Sequence, residues 1–484
     1  MKISLHTFVL SACVTFFACT AKNPKADSQL LNQLPQDYEQ APSDVPRSDV
    51  DLVAWWKTFN DPLLTSLVER AVLQNHDLRI AIERVEQVLA DKRIARAHLF
   101  PTISIQGGYE KSKASRGTLF VAPPILEDPV SESYLAGLNF DWEIDLFGRV
   151  RNEFRAARAS AQAVDEARRG VLISLIAEVV RTYAELRANQ IRLNLARENI
   201  LALEESVEVI RTRQQAGLSS ELDLARAETE LSTEKSVLPT WEAQVAQNMH
   251  RLSVLLGQMP NSLASELMNP TAIPQGQFVT GTGIPADLLK RRPDIRQADF
   301  ELAAQVASAG AAKADFFPTI SLTGSLGRSS IDYDTLNDST SQFWSFGPQL
   351  RWPIFSGGKL LANIRKQNSK LNQAMLQYEQ VVIRGLEETE NTLINLRKEG
   401  ERRAQLEHSF QTSKHALSLA EEQYEYGLID LLAVIDARRK FVTVQDQLQV
   451  SKAQETQHLV MLYKALGGGW EQFEQAKEAV LNNL

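Results

Sequence analysis

The 484-residue chain predicts a mixed α/β membrane protein, built as two copies of one module, whose few strands seal a barrel only when several chains pool them. Three observations lead there: a long-range internal repeat, two proline-free stretches with coiled-coil periodicity, and four short segments that alternate apolar and polar residues.

The repeat comes first because it sets the fold. Ala95-Arg96-Ala97-His98-Leu99-Phe100-Pro101-Thr102-Ile103-Ser104-Ile105 reappears as Ala312-Lys313-Ala314-Asp315-Phe316-Phe317-Pro318-Thr319-Ile320-Ser321-Leu322, at an offset of 217. Trp142 and Ile144 before Phe147-Gly148-Arg149 answer Trp352 and Ile354 before Phe355-Ser356-Gly357-Gly358-Lys359. Ala216-Gly217-Leu218 answers Tyr426-Gly427-Leu428 at an offset of 210. A period this long means a duplicated module, not a solenoid. Each half reads helix, strand pair, long helix, turn, helix.

The helices follow from periodicity. No proline falls between Arg149 and Ala216, or between Lys359 and Tyr426. In the first stretch Leu172, Val179, Leu186, Leu193, Ile200 and Val207 recur every seven residues, with Leu175, Ala196, Leu203 and Ile210 between them. That seam predicts left-handed coiled-coil packing. A 68-residue helix is a rod of about 100 Å. Shorter helices are expected over about 61–97 and 221–257, and over about 294–314 and 431–465, so that two stack to the height of one rod.

The strands follow from a period of two. Leu138, Phe140, Trp142, Ile144 and Leu146 fall on one face, and Asn139, Asp141, Glu143 and Asp145 on the other. The second half places Phe346, Leu350 and Trp352 on one side, with Gln349 and Arg351 between them. Strands are expected over about 99–110, 132–147, 316–328 and 342–355. One apolar, aromatic face and one charged face suit a barrel with lipid outside and water inside. Four strands cannot close a barrel, and an open edge in lipid is prohibitive. Three chains give twelve strands.

Composition excludes other classes. Lys+Arg total 52 and Asp+Glu 60, a net charge of −8, which offers no electrostatic basis for nucleic acid. Mean hydropathy is −0.23, a globular value. The two cysteines, Cys13 and Cys19, lie within the first 19 residues, so neither a disulfide framework nor a cysteine-ligated metal belongs to the body. No catalytic motif is present: Ser356-Gly357-Gly358-Lys359 lacks the spacing and the following Ser/Thr of a phosphate loop. The expectation is that the chain is not an enzyme and holds no cofactor. Met1-Lys2 and the apolar run to Ala18 read as a secretory signal. A cysteine at its end suggests a lipoprotein signal (residues 1–18) with covalent lipid on Cys19, or alternatively on Cys13. After residue 19 no run of 18 apolar residues follows, so no transmembrane helix is expected.

Trp56, Phe59, Asp61-Pro62-Leu63, Asn75, Asp77-Leu78, Asp287-Leu288-Leu289-Lys290-Arg291-Arg292-Pro293-Asp294-Ile295 and Tyr463-Lys464-Ala465-Leu466-Gly467-Gly468-Gly469-Trp470 resemble the opening, second-repeat and C-terminal motifs of the TolC-like outer-membrane factor family, in its lipoprotein branch that serves multidrug efflux. The resemblance covers nearly the whole mature chain. It implies a homotrimer with one twelve-stranded outer-membrane barrel, continued by a periplasmic α-helical barrel. An equatorial region is expected to take residues 19–60, 258–284 and 467–484. The implied partners are a periplasmic adaptor and an inner-membrane RND-type pump, for which the chain is the exit duct. A duct for type I protein secretion is the alternative.

The resemblance also places sites. Arg213, Gly217 and Gly427 match the helix-turn-helix tips that engage the adaptor. Leu432 and Asp436 match the rings that constrict the periplasmic gate, where three carboxylates would favour counter-ions. Asp223 and Tyr424 match a polar link that keeps the tip shut, and Ile429 stands where the prototype carries a basic link residue. Asn139, Asp141, Glu143, Asp145, Gln349 and Arg351 are expected to face the lumen, its tripled acids favouring cations. Leu138, Phe140, Trp142, Ile144, Phe346, Leu350 and Trp352 are expected to face lipid.

Overall fold

The computed structural model describes residues 52–113, 130–276 and 290–474. The leader, Cys13, Cys19, most of the 19–60 segment, residues 277–289 and the last ten residues lie outside that description. The element order is α1 (Pro62–Gln74), α2 (His76–Ala97), β1 (Thr102–Lys113), β2 (Val130–Ile144), α3 (Arg149–Gln215), α4 (Glu221–Leu255), the one-turn α5 (Ala264–Leu267), α6 (Pro293–Ala314), β3 (Thr319–Ser330), β4 (Gln342–Arg351), α7 (Lys359–Glu425) and α8 (Leu431–Ala465). The strands start and stop up to four residues from the bounds expected from alternation. Prolines 101 and 318 delay β1 and β3, because a proline cannot donate to a ladder.

The helix expected over about 61–97 is two. Asn75 breaks it: its backbone is extended (φ −61°, ψ 130°). Its side chain accepts from Leu78 N at 2.9 Å and donates to Leu255 O at 2.9 Å. One amide thus caps the start of α2 and the end of α4. Asp61 begins α1 in the same way, accepting from Leu63 N and Leu64 N ahead of Pro62 at the first turn.

The contact pattern divides the described chain into two units. The first comprises Val85–Val164 and Ala298–Tyr378. It contains one antiparallel sheet in the order β1-β2-β3-β4. The two hairpins are adjacent because β2 pairs with β3, Leu138 opposite Leu326 and Ile144 opposite Ile320. β1 and β4 are left as edges.

The second unit takes in residues up to Arg84, Asp165–Gln297 and the chain from Glu379. Here the heptad residues of α3 do what their spacing predicts: Leu172, Val179, Leu186, Leu193, Ile200 and Val207 are all buried. The motif residues have structural tasks. Trp55 stacks on Tyr463 with ring centroids 5.0 Å apart, and Trp56 stacks on Phe473 at 5.6 Å. Gly469, at φ +103°, has room only for hydrogen, since a Cβ would lie 2.8 Å from the Trp55 indole nitrogen. Arg292 bonds Asp294, Glu388 and Ala465 O, joining α6, α7 and the end of α8. Trp470 sits against two guanidinium groups, Arg169 at 4.6 Å and Arg296 at 5.4 Å. Both arginines also hold Glu166 at 2.6 Å. Burial nonetheless pushes the Glu166 carboxyl above the usual carboxylate range, against the pull of those arginines.

Candidate functional site

Register determines which strand residues share a face, because directly paired residues point the same way. Three rows cross the sheet on one face: Ile105–Leu138–Leu326–Trp344, Ile103–Phe140–Gly324–Phe346 and Trp142–Leu322–Pro348, followed by Ile144–Ile320–Leu350. Ile105, Leu326, Trp344, Phe346, Leu350 and Trp352 are exposed, an apolar face without cover among the described residues. At its helix-proximal end two indoles are fixed by repeat-related bonds: Trp142 Nε1 donates to Leu99 O and Trp352 Nε1 to Phe316 O. From the Ile144 row to the Tyr134 row of the same face is ten residues. At about 3.4 Å each and a tilt of about 40°, the band is about 26 Å tall, the height of a barrel's lipid band.

The opposite face carries Thr102–Asp141–Thr323, Ser104–Asn139–Ser325–Ser345, Glu143–Ser321–Gln349 and Thr319–Arg351. Its acids are not the free row that alternation suggests. Glu143 is bound by Arg149 through two contacts, 2.9 and 2.5 Å. Asp145 follows β2 and accepts from Arg151 Nε at 3.0 Å and Arg151 N at 2.8 Å. Of the three expected acids only Asp141 is left without an arginine partner among the described residues. The first turn of α3 neutralises the other two across the tight Gly148 turn, at φ +84°.

The helical tip is built from two turns of one design. Gly217 (φ +72°) ends α3 and Gly427 (φ +73°) ends α7. Leu218 N bonds Arg213 O at 2.8 Å, and Leu428 N bonds Gln423 O at 2.9 Å. These are Schellman closures, which favour glycine in the left-handed position. Ser220 and Asp223 then form a capping box on α4, and Asp430 caps α8 through Ala433 N. Leu218, Leu222, Tyr426 and Leu428 are exposed there.

Asp223 and Tyr424 are not joined as the resemblance implies. The Asp223 carboxylate accepts from Ser220 Oγ at 2.7 Å and from Ser219 and Ser220 N. Those bonds, Ser220 foremost, hold it below the usual range. The ring of Tyr424 lies under the Arg213 guanidinium at 5.1 Å and packs on the core of Val207, Ile210, Ala227, Leu431 and Ile435. A helix N-terminus competes for the short side chain of Asp223 and keeps it. Leu432 and Asp436 are both exposed. Leu432 lines a cavity of about 350 Å³ with Leu222, Arg226, Thr229, Ile435 and Arg439.

Ties not evident in the sequence join the hairpin α3–α4 to the hairpin α7–α8. Arg439 on α8 holds Glu230 on α4, Nε to Oε2 at 2.8 Å. Arg192 on α3 grips Asp446 on α8 with two contacts, 2.5 and 2.8 Å, and lies 3.7 Å over the Trp241 ring on α4. Within each hairpin other pairs act as stitches: Arg211–Glu228 and Lys235–Glu204 in one, Arg438–Glu421 and Arg403–Glu455 in the other.

The model of a family described as outer membrane efflux protein matches residues 67–258 and 284–468. The chain belongs to this family. The solvent efflux pump outer membrane protein SrpC of Pseudomonas putida is 36% identical over 416 residues, 85% of this chain and 86% of that one. The outer-membrane channel OprN superposes with a TM-score of 0.85 at 32% identity, covering 92% of this chain and 98% of that chain. The Campylobacter jejuni CmeC outer membrane channel also gives 0.85, at 25% identity, covering 93% and 95%. This family member is an outer-membrane efflux channel of mixed α/β fold. The exposed apolar sheet is what such a location requires. Among the described residues no helix is long and apolar enough to cross a membrane.

Proposed function

We propose that three copies of this chain form one twelve-stranded barrel continued by a helical tunnel, the exit duct of a tripartite pump. β4 of one copy pairs with β1 of the next, which removes every edge from lipid. The observation that carries this reading is the four-stranded sheet itself, which among the described residues has two unpaired edges and one uncovered apolar face about 26 Å tall. The adaptor docks on the tips around Arg213, Gly217 and Gly427, where apolar side chains are exposed. Leu432 and Asp436 narrow the periplasmic end, and a covalent lipid on Cys19 anchors the N-terminus. Opening separates the hairpin α7–α8 from α3–α4. The internally stitched hairpins move as units, and Arg439–Glu230, Arg192–Asp446 and Arg213–Tyr424 are the ties that break.

The duct passes small organic molecules that the inner-membrane pump selects. Supporting relatives carry solvent, toluene and antibiotic efflux in their names. Purified protein should run as a trimer in detergent and conduct in planar bilayers. A strain lacking its own duct should regain solvent resistance when this chain and its pump partners are supplied. A stable monomer in detergent-free solution would overturn the reading.

A further inference from the structure

The apolar face ends, away from the helices, in a feature that conduction does not use. Above the row Ile105–Leu138–Leu326–Trp344 comes the row Gly107–Ala136–Arg328–Gln342, and above that Tyr109–Tyr134–Ser330. Two neighbouring strands shrink to a hydrogen and a methyl group at the height where the third presents an arginine. A Cβ placed on Gly107 would meet only the Leu135 carbonyl, at 3.8 Å, so the notch is open. Its upper rim is aromatic: Tyr109 and Tyr134 lie 4.9 Å apart, and Tyr333 of the β3–β4 hairpin meets Tyr134 edge-on at 5.7 Å.

Arg328 is held from one side. Its Nη1 donates to the Asn337 backbone carbonyl and to Asn337 Oδ1 at 3.1 Å. A guanidinium offers five donors in a planar fork that matches phosphate. Of the acids at this end, Glu132 is occupied by Lys111 at 2.7 Å and by the Tyr134 hydroxyl at 3.2 Å, and Asp332 accepts from Asp334 N at 3.2 Å; among the described residues neither forms an ion pair with the arginine. A cation on a lipid-facing surface is costly toward the midplane and nearly free at the interface. Arg328 stands at the interface, one row beyond the last full apolar row.

We propose that Arg328, the Gly107–Ala136 notch and the tyrosine rim bind a phosphate-bearing glycolipid of the outer leaflet. The phosphate lies on the guanidinium and an acyl chain lies in the notch. The site rests on the reading that this face meets lipid. Charge complementarity and continuity with the apolar band argue for a lipid that bears phosphate, the position at the end away from the helices argues for the outer leaflet, and a free phosphate would leave the notch unfilled.

The test is native mass spectrometry of the full chain in detergent, titrated with bis-phosphorylated lipid A, with its dephosphorylated form and with phosphatidylethanolamine. The unaltered protein should prefer the phosphorylated glycolipid. Arg328→Gln should weaken that binding by about tenfold or more, the worth of a charge-assisted contact. Ala136→Trp, which keeps the charge and fills the notch, should do the same, and Ser325→Gln on the opposite face should change nothing. Equal binding by Arg328→Gln, or equal binding of the dephosphorylated lipid, overturns the site. The same preparations are inserted in planar bilayers: channels that conduct normally while the site fails leave the lipid-facing reading standing, and unaltered protein that never inserts removes both.

Discussion

Replacing Arg439 with alanine tests the opening ties directly. Arg439 is 56% exposed, whereas its partner Glu230 is only 9% exposed. An exposed pair contributes about 0–1 kcal/mol, and stripping the partner from a buried charge costs about 3–5 kcal/mol. With one side wet, an intermediate figure of about 1–2 kcal/mol per copy applies. The penalty falls on the closed arrangement alone, where Glu230 stays packed between helices, and it disappears when the hairpins part and the carboxylate is hydrated. Since about 1.4 kcal/mol is a factor of ten, Arg439→Ala should favour release of the tie roughly tenfold in each copy and raise single-channel open probability in planar bilayers by at least that factor. Glu230→Gln in the Arg439→Ala background removes the stranded charge and should restore much of the closed population, though it restores no ion pair. Unchanged open probability in Arg439→Ala, or a double variant as open as the single one, would refute the assignment of this tie to gating.

Other expectations are as concrete. Asp436→Ala and Leu432→Ala should enlarge the small currents of the closed channel, and Asp436→Ala should also reduce their cation preference; reversal potentials in asymmetric salt measure this. Arg187 is fully buried, bonding Gln190 Oε1 and Asn269 O at 2.8 Å and receiving support from Tyr183, whose hydroxyl donates to Asp61 at 2.7 Å. Arg187→Ala strands those acceptors, costs about 3 kcal/mol or more and should lower the thermal midpoint followed by tryptophan fluorescence. Gly327 faces Gly137 across the ladder, where a Cβ would come within 2.6 Å of backbone, so Gly327→Val should abolish membrane insertion without loss of helical circular dichroism. His458 is pushed below the ordinary imidazole range by burial, with Glu399 opposing. A depressed imidazole stays neutral when folded while the unfolded chain gains a proton, so stability falls as pH drops below 6.5; His458→Gln should flatten that part of a denaturation profile taken between pH 7.5 and 5.

Much of the architecture was readable residue by residue. The aliphatic residues spaced by seven on α3 are buried as their phase demands, and Gly217 and Gly427 end helices because each takes positive φ. The Ser220–Asp223 capping box emerged only with the structure, which gives Asp223 its partners within its own turn. Glu143 and Asp145 read as a lumen charge because alternation reports only which face a residue occupies. Their neutralisation needed the chain to reverse at Gly148, bringing Arg149 and Arg151 back beside them. Asn75 lies within the helix expected over about 61–97, and the approach of Leu255 O makes breaking the helix there favourable.

What the amino-acid order determined by itself was local and periodic: two copies of one module, long helices with a continuous seam, strands with one apolar face, and glycine at each tip. These features depend on neighbours within a few turns, where spacing alone dictates geometry. What tertiary structure decided was pairing between distant segments: Arg439 with Glu230, Arg192 with Asp446, Trp470 between Arg169 and Arg296, Arg328 beside Gly107 and Ala136. Charges act through space and sheet rows form across strands, so no pattern along the chain could name those partners before the backbone had brought them together.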